Sequence, residues 1–578
     1  MRRHLSQFYD LGILLAVPVL LFTVGRAFFY FNFHDSFSAF ENVILLKAFL
    51  SGFEYDLKVV LIINSLFILI FFIPIKIYNS SYYLSLLKSL YFLLNSFALF
   101  FNLLDVNSFA LHGHRISIQN IWSETIRILQ DFTDFEFKRF VYNYLTILII
   151  FIIFIIILWN LLEFVQKRDF EKKPVKQANF IISLFLLSIY GLVIYDSISY
   201  KGEWLGKLYM KADRKIAPLI INNPYLFLAS ATRYQPQEKD SWENDQFQSS
   251  KQYDSLPSTS INHICIAFIE TNDSLAFNNI IEQNGLKTLA KLHRLNVLST
   301  GLNTITRYLD ETLLSFPSIL PFDFYQSVYS LNNYESLPQI LEKEGFNTSL
   351  YSVGYQKKQM KLVKNFYGFQ SNSILDSIAK NELKVIDLIL KGFNTDKINK
   401  TFDVLLIKDQ MNIASEAILI AYLKRIENDG LVFVYQIPKQ NLGQSAQLKK
   451  SLTIYLPSGI DFYKPSNEII TQCLDIKPTI LHYLNQNNSF IAYGSSLFSK
   501  EEKTIFSSNG LNTYNLLRDS LLLTYSNNVT QSIQVIRNHQ VLKDDFKDSL
   551  AIEKIELEDR INSIFRDFKY RTEKNKMK

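Results

Sequence analysis

Long apolar runs are concentrated in the first 200 residues of this 578-residue chain, and shorter runs follow. The clearest run, YLTILIIFIIFIIILWNLL, carries no charged residue. A helix of that length crosses a hydrocarbon core of about 30 Å. The pattern predicts an N-terminal transmembrane domain of about five helices. Their predicted ranges are 11–31, 59–75, 89–104, 144–162 and 178–195.

The placement of lysine and arginine predicts the orientation of these helices, because cytoplasmic loops carry an excess of both. Arg2 and Arg3 precede the first run, and a short basic loop at 167–176 follows the fourth. With the N-terminus inside, five spans deliver the chain after about residue 200 to the outer side. Abundant Ile, Asn, Lys, Phe and Tyr are typical of an AT-rich bacterial genome. We therefore expect a multi-pass protein of the bacterial cytoplasmic (inner) membrane, with its C-terminal domain on the periplasmic or extracellular side.

Beyond residue 260, short apolar runs alternate with helical patterns. The runs typical of buried strands are 264–269, 348–353, 402–407, 430–435 and 452–455. The helical patterns are 284–295, 337–343 and 414–428. This alternation predicts an α/β domain with a mostly parallel central sheet, whose chemistry lies at the carboxyl ends of the strands.

These patterns divide the chain into successive segments. The transmembrane domain is predicted to cover 1–200, and a polar linker 201–260. The α/β domain is predicted to cover 261–500, and a C-terminal segment, 501–578, to pack on it or extend from it.

The charge and the cysteine content limit which binding partners and metal sites are expected. The net charge is +6, and no Lys/Arg stripe interleaved with aromatic residues is present, so nucleic acid is not an expected partner. Cys265 and Cys473 lie in apolar contexts, which favours buried thiols over a disulfide. Two cysteines are too few for a cysteine-based metal site.

Two features of the α/β segment could carry chemistry. Glu270 directly follows the apolar run 264–269, where a metal ligand would be placed; a helix-capping or solvated acid is the alternative. The hydroxyl-rich stretch 297–321 comes next. A Thr or Ser at the start of a helix beside a divalent metal can act as a nucleophile, because the metal lowers the hydroxyl pKa. A capped helix start is the alternative for this stretch.

Eight sequence motifs occur in a recognisable order. The membrane segment contains FLSGFEYDL and FNLLDVNSF. The α/β segment contains ICIAFIETNDS, STGLNT followed by SFP, SLPQILEKEGFNTSLYSVG, NFYGFQS, EIITQCLDIKPTILHYL and YGSSLF. Together they resemble the lipoteichoic acid synthase-like branch of the alkaline phosphatase and sulfatase superfamily. Members of that branch have five transmembrane helices and an extracytoplasmic phosphotransferase domain, and the resemblance covers almost the whole chain.

The resemblance implies roles for particular residues. Glu270 would be a metal ligand, and Thr304 would be both nucleophile and metal ligand because it stands three residues after Gly301. Thr306 is the second candidate for the nucleophile. An active member would use one divalent metal (Mn, Zn or Mg).

The chain departs from the family pattern at the second half of the metal site. The family closes this site with an Asp-His pair at the end of a later strand, and here Gln436 and Ile437 replace that pair. An amide is a poor ligand for such a metal, and isoleucine is none. The family's substrate-side histidine is also missing from the segment that begins at Lys408. The histidines of the α/β segment are expected to be surface or packing residues: His263, His293, His482 and His539.

These observations predict a sulfatase-like, lipoteichoic acid synthase-like envelope protein that has lost phosphotransfer. Such a pseudoenzyme would act as a scaffold or regulator and need no cofactor. The alternative is an active metal-dependent transferase that moves phosphoglycerol or phosphoethanolamine from a phospholipid to an envelope glycan or lipid. Membrane lipids are expected partners, together with another envelope protein or an active family member.

Overall fold

In the computed structural model the chain forms two compact units. One comprises Met1–Lys239 with two short later segments, and the other comprises Asp240–Phe324 with Tyr334–Thr572 and a short C-terminal segment. The structure describes residues 2–38, 40–72, 81–112, 115–116, 137–167, 208, 212–231, 249–256, 261–270, 293–299, 313, 315–319, 334–375, 400–407, 430–437, 449–456, 470–486, 488–499, 504–508, 513–518, 520–526, 529–537, 540–542, 545–546, 549–573 and 576–577.

The first unit is mainly helical in its described part. Its helices are α1 Arg2–Asn32, α2 His34–Phe37, α3 Asn42–Ile63, α4 Ser65–Phe72, α5 Ser81–His112, α6 Phe137–Lys167, α7 Ala217–Ile220 and α8 Asn223–Ala231. Helix α1 packs against α3 and α5, and α5 packs against α6. The short helices α7 and α8 pack against α3 and α5, although they lie within the predicted linker range 201–260.

Three of the described helices are long and apolar enough to cross a membrane: Leu11–Asn32, Ser85–Ala110 and Tyr144–Val165. They coincide with three of the predicted spans. The predicted span 59–75 falls on α3 and α4, which are separated at Asn64, and only its part up to residue 72 is described. The predicted span 178–195 lies outside the described residues. A total of five spans therefore stays a prediction.

Helix α6 has the surface of a lipid-facing helix. Its outward face exposes large apolar side chains on successive turns: Leu145, Leu148, Ile149, Ile152, Ile153, Ile156, Ile157 and Phe164. Its opposite face buries Ile147, Phe154, Leu158, Leu161 and Val165. A contiguous apolar surface of this size is disfavoured in water and expected in a bilayer.

The second unit is an α/β structure. Its strands are β1 Ser250–Lys251, β2 His263–Glu270, β3 His293–Ser299, β4 Asn347–Val353, β5 Ser371–Leu375, β6 Thr401–Ile407, β7 Gly430–Ile437, β8 Lys449–Leu456, β9 Ile470–Thr471, β10 Phe490–Ile491, β11 Thr504–Ser508, β12 Thr513–Arg518, β13 Leu521–Ser526, β14 Val529–Arg537 and β15 Gln540–Val541. Its helices are α9 Leu337–Lys343, α10 Lys357–Tyr367, α11 Ile476–Tyr483 and α12 Ala551–Glu573.

The main sheet has eight strands in the order β5-β4-β6-β2-β7-β8-β3-β9. The first five are parallel to one another, whereas β8 is antiparallel to both of its neighbours. The prediction of a mostly parallel sheet is therefore confirmed. Its central strand, β2, is apolar without alternation because both of its faces are covered, and Ile264 through Phe268 are fully buried. Cys265 lies within this strand, Cys473 is partly buried, and the two form no disulfide.

Two parts of the second unit differ from the secondary structure predicted from the sequence. Residues 293–295 were predicted to end a helix, but they begin β3, which pairs with β8. That pairing between distant segments overrides the local helical pattern. Strands β11 to β15 form an antiparallel sheet that no prediction covered. Helix α12 packs on this sheet through Phe565, whose ring contacts Phe506, Tyr514 and Tyr525.

Candidate functional site

The candidate site lies at the carboxyl edge of the main sheet, where β2 and β7 end side by side. Their parallel register places Ile269 level with Gln436, and Glu270 level with Ile437. Neighbouring strands in a sheet are about 4.8 Å apart. Gln436 and Ile437, the residues predicted to stand in place of an Asp-His pair, therefore lie on the strand beside Glu270.

The residues on β7 do not fit a divalent metal. Gln436 offers a neutral amide where an anionic carboxylate is expected, and Ile437 offers no donor atom where an imidazole is expected. In the part of the chain that the structure describes, no group of three or more His, Cys, Asp and Glu residues is arranged for metal binding. Thr304 and Thr306 lie outside the described residues, so their roles stay predictions.

His263 and His293 are the first residues of their strands and lie away from this edge. His263 begins β2, level with Thr401, and its Nδ1 lies 3.0 Å from the Thr401 Oγ1. At about 3.3 Å per residue, it stands roughly 23 Å from Glu270 along the strand. His293 begins β3, three strands away from β2.

His482 is a buried packing residue. Its Nδ1 lies 2.8 Å from the Ser496 Oγ, and its Nε2 lies 3.0 Å from the Asp254 carbonyl oxygen. Its ring stacks on Tyr253 with centroids 4.5 Å apart. Both ring nitrogens are thus satisfied by the fold. His539 lies outside the described residues.

Three of the sequence motifs form one buried hydrogen-bonded framework in the second unit. The Ser318 Oγ donates to the Leu474 carbonyl at 2.7 Å and accepts from the Gly494 amide at 3.2 Å. A Cβ atom on Gly494 would lie only 2.2 Å from the Leu474 carbonyl oxygen. The close approach of these segments therefore requires glycine at position 494.

Asp475 and Thr479 extend this framework. The Ser495 amide donates to the Asp475 Oδ1 at 2.9 Å, and the Thr479 Oγ1 donates to the Asp475 carbonyl at 2.5 Å. The Leu497 amide donates to the Thr479 Oγ1 at 3.1 Å. The Asp-Ile-x-Pro-Thr and Gly-x-Ser-Leu motifs thus hold each other in place, which is a structural role.

Lys477 lies at the centre of the framework. Its side chain is buried, and its Nζ donates to the carbonyl oxygens of Pro317, Glu335 and Ile491 at 3.1–3.2 Å. Burial lowers the pKa of Lys477 to about 7, since a charged ammonium is penalised away from water. Lys477 was not predicted as a site residue, because a lone lysine between two motif positions gives no local signal of burial.

A second cluster of buried charges occurs in the first unit, and its two carboxylates, Asp56 and Asp105, belong to the two membrane motifs. The Arg26 Nη2 donates to the Asp56 Oδ1 at 2.5 Å, and the Arg115 Nη1 donates to the Asp105 Oδ2 at 2.5 Å. All four side chains are at most 4 % exposed. A Cβ atom on Gly52 would lie 2.3 Å from the Arg26 Cζ, so the guanidinium needs a glycine there.

The two guanidinium groups also hold the chain segment that contains α7. The Arg26 Nη1 donates to the carbonyls of Leu219 and Ile220, and the Arg115 Nε donates to the Pro218 carbonyl at 2.7 Å. These carbonyls at the end of a short helix lack partners within that helix. The cluster therefore fastens α7 to α1 and α5, and every charge in it has a counter-charge.

Comparisons with known proteins give structural similarities only. No protein-family model matches the chain, and no curated protein sequence matches it at a significant level. Among solved structures, the chain is similar to an alkaline phosphatase superfamily protein from Vibrio parahaemolyticus: the identity is 11 %, the TM-score 0.43, and the coverage 56 % of this chain and 91 % of the other.

The chain is also similar to the structures of one synthase and one transferase. For the lipoteichoic acid synthase LtaP from Listeria monocytogenes, the identity is 15 %, the TM-score 0.38, and the coverage 53 % of this chain and 91 % of the other. For the integral membrane lipooligosaccharide phosphoethanolamine transferase A (EptA) from Neisseria meningitidis, the identity is 10 % and the TM-score 0.28. The coverage is 77 % of this chain and 96 % of the other. The sheet order and the apolar helices define the fold of this chain.

Proposed function

We propose that this protein is a membrane-anchored member of the lipoteichoic acid synthase-like group whose phosphotransfer site has lost its metal-binding pair, and that it acts as an envelope scaffold or regulator. One observation carries the proposal. The register of β2 and β7 sets Gln436 and Ile437 beside Glu270, at the strand ends where this class of α/β fold places its chemistry.

The loss of the pair has a direct energetic consequence for metal binding. A divalent cation must exchange its hydration shell for protein ligands, and anionic oxygens or imidazole nitrogens make that exchange favourable. Here the predicted set is reduced to Glu270 and the Thr304 hydroxyl. One carboxylate and one hydroxyl supply too little charge and too few donors for a stable site.

The framework around Lys477 supports a retained fold without the metal. Its hydrogen bonds link segments near residues 318, 335, 475 and 494 entirely through protein atoms. These hydrogen bonds hold segments of the second unit together that are distant in sequence. A scaffold role requires such a fold and does not require turnover.

Restoring the pair is the sharpest test. Gln436→Asp with Ile437→His should raise zinc or manganese affinity by at least an order of magnitude, because it adds one anionic and one imidazole ligand. We expect the wild-type protein to hold no stoichiometric divalent metal by elemental analysis and to turn over no phosphatidylglycerol analogue. Gln436→Asn with Ile437→Val is the matched control, and it should change neither property.

An active enzyme with a rearranged site would give a different result. Tightly bound metal in the wild-type protein, together with turnover that Thr304→Ala abolishes, would overturn the pseudoenzyme proposal. The transfer of phosphoglycerol or phosphoethanolamine from a phospholipid would then be the better account.

We further propose that the protein crosses the bacterial cytoplasmic membrane five times and exposes its second unit on the outer side. The basic loop at 167–176 supports this orientation. A reporter enzyme that is active only outside the cytoplasm should be active when fused after Asn262 and silent when inserted in that loop. The reverse pattern of reporter activity would show that the orientation is wrong.

A further inference from the structure

Helix α10 carries a strip of lysines on its solvent-facing side. Lys357, Lys358 and Lys361 are exposed, and Lys364 is half-buried. We call these four residues the basic strip. The opposite face of the helix buries four large side chains against the unit: Met360, Val363, Phe366 and Tyr367. The amphipathic pattern thus fixes which side faces outward, and that side carries only positive charge.

The basic strip is electrostatically unfavourable for the helix itself. Lys357 and Lys358 stand in the first turn, where the helix dipole is positive, and this turn has no acidic residue. Lys361 stands four residues after Lys357, and Lys364 three residues after Lys361, so like charges face each other on the surface. Each such placement raises the free energy of the helix.

Nearby acidic residues in the described part of the unit do not offset this cost. Glu335 pairs with Lys343, and Glu342 accepts a hydrogen bond from the Gln370 side chain. Among described residues, none forms an ion pair with a lysine of the basic strip. Among the described residues, the basic strip therefore works against its own helix without a compensating ion pair, and its charge is complementary to an external anion.

We propose that the basic strip binds the anionic lipid headgroups of the membrane that carries the chain. Charge complementarity selects an anionic partner. The apolar helices Leu11–Asn32, Ser85–Ala110 and Tyr144–Val165 belong to the same chain, so a lipid surface is the anionic surface constantly within reach. This inference depends on membrane anchoring and is independent of whether the metal site works.

The position of α10 determines which edge of the main sheet would approach the lipid headgroups. The helix begins four residues after Val353, the last residue of β4, and β4 ends at the same edge of the sheet as Glu270. The basic strip therefore starts at the edge that carries the candidate site. Lipid binding through the strip brings that edge of the sheet towards phosphate headgroups.

The experiment uses the full-length protein in lipid nanodiscs made either of phosphatidylcholine alone or of phosphatidylcholine with one-third phosphatidylglycerol. The rate of backbone amide hydrogen exchange in the segment 357–364, which carries the basic strip, is measured by mass spectrometry. A lysine near an anionic surface contributes about 1 kcal/mol to the free energy of binding. Three such lysines therefore raise the equilibrium constant for binding on the order of 100-fold. We expect slower exchange only in the anionic discs, and loss of this protection at high salt.

A triple variant tests whether the lysines of the basic strip bind the lipid headgroups. Lys357→Gln, Lys358→Gln and Lys361→Gln together should abolish the lipid-dependent protection, whereas the same three positions changed to arginine should keep it. Glutamine forms helices well and removes like-charge repulsion, so the variant should unfold at the same temperature as the wild type or higher. Protection that is equal in both kinds of disc, or that survives the glutamine variant, would overturn the proposal. Protection that depends on protein concentration instead of lipid charge would assign the strip to a second copy and likewise overturn it.

Discussion

Asp56→Ala should destabilise the first unit by about 3–5 kcal/mol, because it removes the counter-charge of a buried guanidinium. The Arg26 side chain is 2 % exposed and the Asp56 side chain is fully buried. Without Asp56, the cation keeps its bonds to the backbone carbonyls of Gly52, Leu219 and Ile220 but loses its anion. The Asn222 side chain loses its carboxylate acceptor as well.

The measurement is the thermal unfolding of the purified protein in detergent, compared with a matched surface pair on the same helix. Glu54 and Lys58 form an ion pair 2.9 Å apart, but the two side chains are 43 % and 21 % exposed. Glu54→Ala should therefore cost at most about 0.5 kcal/mol. The double change Arg26→Met with Asp56→Leu should cost less than Asp56→Ala alone, because it leaves no unpaired charge. Equal effects of Asp56→Ala and Glu54→Ala would contradict the buried-pair account.

Lys477→Met should destabilise the second unit by about 3 kcal/mol or more. Methionine fills a similar volume but has no donor, so the carbonyls of Pro317, Glu335 and Ile491 lose the bond that each receives from the Lys477 Nζ. A buried carbonyl that loses its partner costs about 1–3 kcal/mol. Lys343→Met is the control, since that side chain is 58 % exposed and its loss should change stability by no more than about 0.5 kcal/mol.

The pH dependence of stability adds an independent readout for Lys477. Burial lowers its pKa from 10.5 to about 7, so between pH 7 and 10.5 the unfolded chain binds more protons than the folded one at this residue. The contribution of Lys477 to stability therefore rises with pH across that window. The stability gap between the wild type and Lys477→Met should widen from pH 7 to pH 10. A gap that stays constant would show that the buried lysine keeps its ordinary pKa, and a gap that narrows would show that its pKa is raised in the folded state; either result contradicts the lowered pKa.

The central strands of the main sheet were predictable from the sequence because they are buried on both faces. The predicted runs 264–269, 402–407 and 430–435 fall within β2, β6 and β7. A continuous apolar run of that length admits few other solutions in an α/β chain. Strand β3 was not predictable: its sequence HRLNVLS mixes polar and apolar residues, and its pairing with β8 and β9 decides its conformation.

The candidate site was only partly accessible to sequence reasoning. The order of the motifs indicates that Gln436 and Ile437 stand where a metal-binding pair is expected, and that conclusion needs no coordinates. Their position beside Glu270 depends on β2 and β7 being neighbours, although about 160 residues of chain separate them. Strand order is a property of how the whole sheet assembles, and no local pattern encodes it.

The sequence by itself determined where three long apolar helices and the central strands lie, because apolar runs of sufficient length have few stable environments other than a bilayer or a covered sheet. Arg26 lies within the predicted span 11–31, and Asp56 lies three residues before the predicted span 59–75. Only the tertiary structure decided their partners, since the cluster joins residues from positions 26, 52, 56, 219, 220 and 222. A buried charge must find its counter-charge and hydrogen bonds somewhere in the fold, and packing selects which distant segments supply them.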